Sequence, residues 1–147
     1  MKKQIFILGV LAIFSFTNAQ DLAQNNVPSI IVNQFNAHFP KATDIDWEMD
    51  GTNYKVDFET NWNTDHEIWY NSKGKIIRHK EDISEAKLPK AVKNTLKSSF
   101  KGYSIDDIEQ ISENGKMVYK MELNSLLQQD WNVVIDAKGT IINKIAD

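Results

Sequence analysis

The chain contains no cysteine. That removes disulfides, thiolate metal sites, thiol nucleophiles and a lipid-modified N-terminal cysteine, although it does not by itself fix a compartment. Proline and glycine are also few, at three and six residues, and residues 81–87 contain neither, so that stretch is not a flexible linker. Positive charge is in short supply: 17 basic residues stand against 20 acidic ones, a net charge of −3. Setting aside the leader described below, which carries Lys2 and Lys3, the balance falls to −5. Nucleic-acid binding rests on neutralising phosphates with Lys and Arg, so that class is disfavoured. Lys90, Lys93, Lys97 and Lys101 recur at helical spacing and read as a solvated helix face. Only residues 5–16 form a long apolar run. At about 12 residues it is short of the ~20 that span a bilayer. With Lys2-Lys3 before it and Thr17-Asn18-Ala19 after it, the run reads as a secretory signal peptide over residues 1–19, cleaved after Ala19. The processed chain is expected in the periplasm or outside the cell, with no membrane span.

What is present is a pattern used twice. Tyr54 and Tyr119, Ile68 and Val133, Gly74 and Gly139, and Ile76 and Ile141 each lie 65 positions apart. No gap is needed between 54–77 and its counterpart. Upstream, Val27, Ile31, Phe35 and Phe39 fall on one helical stripe, and Leu88, Val92, Leu96 and Phe100 repeat it 61 positions later. Four additional residues must therefore lie between Phe100 and Tyr119. Pro28 and Pro89 suit a first helical turn, and Pro40 ends the first helix.

Each stripe is followed by period-two alternation, the mark of half-buried strands. Ile45, Trp47 and Met49 alternate with acids, then Asp50-Gly51 offers a hairpin turn. Tyr54, Val56 and Phe58 oppose Lys55, Asp57 and Glu59. In the second half Ile105, Ile108 and Ile111 lead to Asn114-Gly115, and Tyr119, Met121 and Leu123 oppose Lys120 and Glu122. Ile68 and Tyr70, or Trp131, Val133 and Ile135, point inward. The turns 71–74 and 136–139 begin with Asn or Asp and end with Gly, as a type I turn followed by a left-handed glycine requires. The fold class is α+β: two tandem helix-plus-four-strand antiparallel repeats, 27–83 and 84–147, after a disordered stretch at 20–26. Joined edge to edge they make one eight-stranded sheet with both helices on one face and the other face open to water.

Val-Pro…Phe…Phe-Pro, then Asp46-Trp-Glu48, Asp50-Gly-x-x-Tyr-Lys-Val-Asp-Phe58 and Ile68-Trp-Tyr-Asn-x-x-Gly-Lys-Ile-Ile77 resemble the bacterial PepSY-like, beta-lactamase-inhibitor-like proteins. The resemblance runs from Val27 to the C-terminus and rests on fold-forming residues. It implies a small exported protein, often of two repeats, with the shape of the beta-lactamase inhibitor proteins, which clasp their targets with a concave sheet. Inhibition is implied by fold analogy alone.

No constellation points to catalysis. The acids at 46, 48, 50 and 57 imitate a calcium loop, yet they lie in strand alternation rather than between helices. His38, His66 and His79 have no ligand spacing. His66 occupies an inward position, matching Trp131, and reads as a sheet residue beside the core. Asp65-His66-Glu67 places neighbours on opposite faces. Serines lack a nucleophile-elbow context. The expectation is a non-enzyme with no metal and no cofactor.

Aromatics offer the better lead. Period two sends Trp69 to the open face, where the second half has Val134. Trp62 lies in the adjoining connection, matched by Leu127 beside Leu126. Exposed Trp side chains commonly anchor interfaces. The expected function is an exported binding module that holds an envelope protein or peptide on the open face through Trp62, Trp69, Lys55, Asp57, Glu59, Lys120 and Glu122. Alternatives are an envelope sensor of a small ligand or ion, or a structural envelope component.

Overall fold

Pro28 and Pro89 each stand immediately before a ten-residue helix, α1 (Ser29–His38) and α2 (Lys90–Ser99). The computed structural model describes residues 20–61 and 63–147; the proposed leader and Trp62 lie outside the described residues. The N–H groups of Ile31 and Val32 return to the Pro28 carbonyl, so proline caps the helix with its carbonyl and loses no donor. Phe39 and Phe100 end the helices, each donating its N–H to the residue four back. The apolar stripes turn inward: Ile31, Phe35, Val92 and Leu96 are buried.

Nine strands form one antiparallel sheet in sequence order. They are β1 (Gln20–Asp21), β2 (Thr43–Asp50), β3 (Asn53–Thr60), β4 (Thr64–Tyr70), β5 (Ile76–Asp82), β6 (Ser104–Glu113), β7 (Lys116–Asn124), β8 (Trp131–Asp136) and β9 (Ile141–Ala146). Four strands follow each helix, and the α+β class holds. Two expectations need correction. The sheet has nine strands rather than eight, and residues 20–26 are not disordered. Gln20 and Asp21 pair with Met49 and Glu48, and Gln24–Asn26 form a 3-10 turn. Strand addition at a sheet edge uses backbone groups, so the polar side chains there gave no hydrophobic pattern to read. Leu22 then packs against the first core.

Directly opposed residues of an antiparallel pair share a face, so the registers carry side assignments across the sheet. Trp47 opposes Val56, Val56 opposes Ile68, and Ile68 opposes His79. His79 opposes Ser112, Gln110 opposes Tyr119, and Tyr119 opposes Ile135. These residues therefore lie on one face, and both helices pack there. The apolar side chains gather in two clusters. Val27, Ile31, Phe35, Trp47, Val56, Phe58, Ile68 and Tyr70 form the first, and Leu88, Val92, Leu96, Met121, Leu123, Val133 and Ile135 belong to the second. Burying each such side chain contributes roughly 1.5–3 kcal/mol. Between the clusters, where β5 meets β6, the facing residues are polar: His79, Glu81, Gln110 and Ser112.

The second hairpin absorbs the four additional residues. Asp50 opposes Asn53 at the tip of β2–β3, and Glu113 opposes Lys116 at the tip of β6–β7. Tyr54 faces Met49, whereas Tyr119 faces Gln110. The β6–β7 hairpin is thus two residues longer on each strand, which separates the 61-position helix offset from the 65-position strand offset. A bulge interrupts each first strand at a left-handed aspartate, Asp44 (φ 48°) or Asp107 (φ 45°). The two type I turns form as read: Asn71 Oδ1 accepts from the N–H groups of Lys73 and Lys75 at 3.0 Å, and Asp136 Oδ1 accepts from Lys138 and Thr140 at 2.9 and 2.8 Å.

Candidate functional site

The face away from the helices is built from the alternate residues of every strand. On it, charges of alternating sign line up across six neighbouring strands: Glu48 on β2, Lys55 on β3, Glu67 on β4, Lys80 on β5, Glu109 on β6 and Lys120 on β7. Lys55 Nζ lies 2.7 Å from Glu48, 2.9 Å from Asp57 and 3.1 Å from Glu67. Lys80 bridges Glu67 and Glu109, the latter at 2.8 Å, and Lys120 reaches the other oxygen of Glu109 at 3.1 Å. Lys80 therefore ties the two halves together on this face, directly behind the polar seam.

The row is half-buried, and its protonation follows from that. Burial works against the charge of Lys55 and Lys80, yet the surrounding carboxylates outweigh it and raise both ammonium groups above their ordinary value. Burial likewise pushes the Glu67 and Glu109 carboxyls up, but bonded lysines hold both below the usual carboxylate value. Asp57 differs. Burial raises it despite Lys55, and its Oδ1 has no partner among the described residues. Lys55 is drawn to pairing while Asp57 resists it. We take Lys55–Glu48 and Lys55–Glu67 as the firm contacts and Lys55–Asp57 as the weak one, because Asp57 is also the more exposed partner.

Trp69 lies on this face, opposite Lys55 and Arg78 in register. It is covered rather than open, at 8% exposure. The Arg78 guanidinium sits 4.6 Å from the ring and the Lys55 ammonium 5.5 Å from it. The indole Nε1–H donates to Asp50 Oδ2 at 2.7 Å. Trp69 is thus the floor of the face, covered by the Arg78 and Lys55 cations.

The other residues singled out by sequence divide. Lys55, Asp57 and Lys120 belong to the row, while Glu59 and Glu122 share the face and form no ion pair among the described residues. Trp62 lies outside the described residues. Leu126 and Leu127, its counterparts in the second half, stand fully exposed in the β7–β8 loop. The acids that imitated a calcium loop are dispersed along a hairpin, with Glu48 on Lys55 and Asp50 on Trp69. Sequence reasoning missed Glu48 at the end of the row, Glu67, Lys80 and Glu109 in its middle, and Asp50 and Arg78 around Trp69. Alternation puts each on the open face, but only the strand register shows that they meet. Lys93 and Lys97 of α2 border a cleft of about 490 Å³ on the other side of the sheet, between α2 and the start of β6, floored by Leu96, Phe100, Ile105 and Leu123.

Among the described residues no helix is long and apolar enough to cross a membrane. The family model described as "Putative beta-lactamase-inhibitor-like, PepSY-like" matches the chain twice, over residues 15–78 and 52–143. No curated protein is significantly similar to it. Among solved structures, a "putative periplasmic" protein from Bacteroides eggerthii superposes with a TM-score of 0.68 at 18% identity, over 82% of this chain and 88% of that one. A BLIP-like protein from Bacteroides fragilis superposes with a TM-score of 0.63 at 17% identity, over 80% of this chain and 84% of the other. At such identities the likeness is one of fold.

Proposed function

The chain belongs to the PepSY-like, beta-lactamase-inhibitor-like family, and on that premise we propose that it is an exported, non-catalytic module that binds a protein or peptide on the open face of its sheet. The observation that carries this reading is the row of paired charges from Glu48 to Lys120 on a face that neither helix covers. Charges already held by neighbours lose little conformational freedom when a partner arrives, which removes one of the main costs of association. A fixed alternation of sign also selects a partner whose own charges alternate in register. Beside the row, Arg78 and Lys55 lie over the Trp69 ring and hold it as a rigid aromatic floor. Leu126 and Leu127, exposed in the loop that follows β7, offer a partner further apolar area.

The same reading takes the two halves as copies of one helix-plus-four-strand unit, supported by the paired bulges at Asp44 and Asp107 and the paired turns at Asn71 and Asp136. Export is supported by the basic-apolar-small pattern of residues 1–19 and by the periplasmic description of a structural neighbour. Inhibition of an envelope protease or beta-lactamase is a narrower form of this function, examined by direct enzyme assay.

The experiment is capture from an envelope extract with the wild type, with Lys120→Glu/Glu122→Lys, and with Lys97→Glu on α2 as control. A partner held by the wild type and the control but lost from the open-face variant supports the reading. Identical partner sets for all three proteins contradict it.

A further inference from the structure

On the opposite side of the sheet, at the seam between the two cores, three metal-binding side chains converge. His66 on β4 opposes Glu81 on β5, and His79 lies two residues before Glu81 on the same face. Their donor atoms all lie within 4.8 Å of one another. His66 Nδ1 and His79 Nε2 are 3.1 Å apart. We propose that His66, His79 and Glu81 form a binding site for a divalent transition metal ion of the zinc type, with a fourth position open to water or to a donor from a partner.

The geometry suits such an ion. Two donors bound tetrahedrally at ~2.0–2.1 Å stand roughly 3.4 Å apart, so the imidazole nitrogens need to separate by only a few tenths of an ångström. Two imidazoles and one carboxylate are a ligand set for zinc, copper or nickel, whereas calcium and magnesium take oxygen. The surroundings fix the first ligand. His66 Nε2 lies 2.7 Å from Thr60 Oγ1, which leaves Nδ1 for the ion, and a hydrogen bond at the other ring nitrogen is what orients a metal-binding imidazole. Phe58 stacks on the His66 ring at 4.8 Å, and Phe39, just past the end of α1, lies about 6 Å from both imidazoles (5.9 and 6.0 Å). Those rings exclude water from one side. Glu81 holds Lys87 at 3.2 Å through Oε1 alone, leaving its second oxygen available.

The second half shows that the fold does not require these residues. The positions 65 further on are Trp131, Lys144 and Ala146, with the same register: Trp131 opposes Ala146 and Val133 opposes Lys144. Lys144 caps the Trp131 ring at 3.7 Å. One cation–π contact fills the place that three donors occupy in the first half. The site lies on the helix side of the sheet, so it stands or falls separately from the open-face reading.

The test is titration of chelator-treated full-length processed protein with cobalt(II), followed by displacement with zinc. One cobalt per chain with the visible absorption of a tetrahedral N/O site is expected, displaced by one equivalent of zinc. His79→Gln and Glu81→Gln should weaken binding at least tenfold, while His38→Gln, on an exposed helix end, should leave it unchanged. Zinc should raise the melting temperature of the wild type and not that of His79→Gln. Absence of cobalt absorption in the wild type overturns the site, whatever the variants do. Binding that survives His79→Gln undiminished overturns it equally.

Discussion

Trp69 shows how neighbours set the role of one side chain. Alternation alone places it on the water-facing side of the sheet, yet Asp50, Lys55 and Arg78 close over it. Trp69→Phe keeps an aromatic face beneath the cations but removes the donor to Asp50 and part of the ring system, so a loss of about 1–2 kcal/mol is expected in urea denaturation. Trp69→Ala also vacates the floor beneath two cations and should cost about 3–5 kcal/mol. Similar losses for the two variants would mean that packing around the indole matters little. Glu109 gives the corresponding electrostatic case. Burial pushes its carboxyl up, but Lys80 and Lys120 hold it below its ordinary value of 4.5. Between the folded and the unfolded value the unfolded chain binds more protons, so stability rises with pH there. The contribution is complete above about pH 5 and is lost as pH falls through the lowered folded value. Glu109→Gln should therefore melt below the wild type at pH 7 and converge with it in acid. A constant gap between their melting temperatures across that range would contradict the pairing.

The turns and hairpins were the elements most open to prediction, because their chemistry is local. Asn71 and Asp136 announce their turns through side chains that bond their own backbone, and the stripes of α1 and α2 announce the helices. The strand β1 was not legible, since backbone pairing at a sheet edge requires no hydrophobic alternation. The tight join between the β8–β9 turn and α2 was not legible either. Gly139 has φ +88°, and a Cβ there would lie 2.8 Å from the Ala91 carbonyl oxygen and from Thr95 Oγ1. Thr95 donates to the Gly139 carbonyl at 2.6 Å, which fixes the approach. Gly102 has nearly the same φ, +89°, but open space around it. Both Gly→Ala changes incur left-handed strain of roughly 1–2 kcal/mol. Gly139→Ala adds a collision with helix backbone and should cost ~1–3 kcal/mol more. Equal midpoints for the two variants in urea would show that the turn can lift away from α2 freely.

Across the whole molecule, one sheet carries two cores, and its two faces carry different chemistry. The helix side carries the two apolar cores, and at the seam between them His66, His79 and Glu81 meet beside Gln110 and Ser112. The other side is bridged over that seam by Lys80, between Glu67 and Glu109. The face of each residue was readable from period two. The pairs were not, because His66 and His79, or Glu67, Lys80 and Glu109, are far apart in the chain and only strand register unites them. That is why the sequence yielded Lys55, Asp57 and Lys120 but not the middle of the row, and why three histidines without a spacing motif looked inert. The claim that the row-bearing face is the binding surface is tested most directly by position-resolved photo-crosslinking in an envelope extract. A photoreactive residue is placed at Ile111 or Val134 on the open face, or at Ile30 on α1 or Lys97 on α2. The account predicts one common partner crosslinked from Ile111 and Val134, weakened by raised salt, and none from Ile30 or Lys97. Crosslinks to a single partner from the helix positions, with none from the open face, would contradict it.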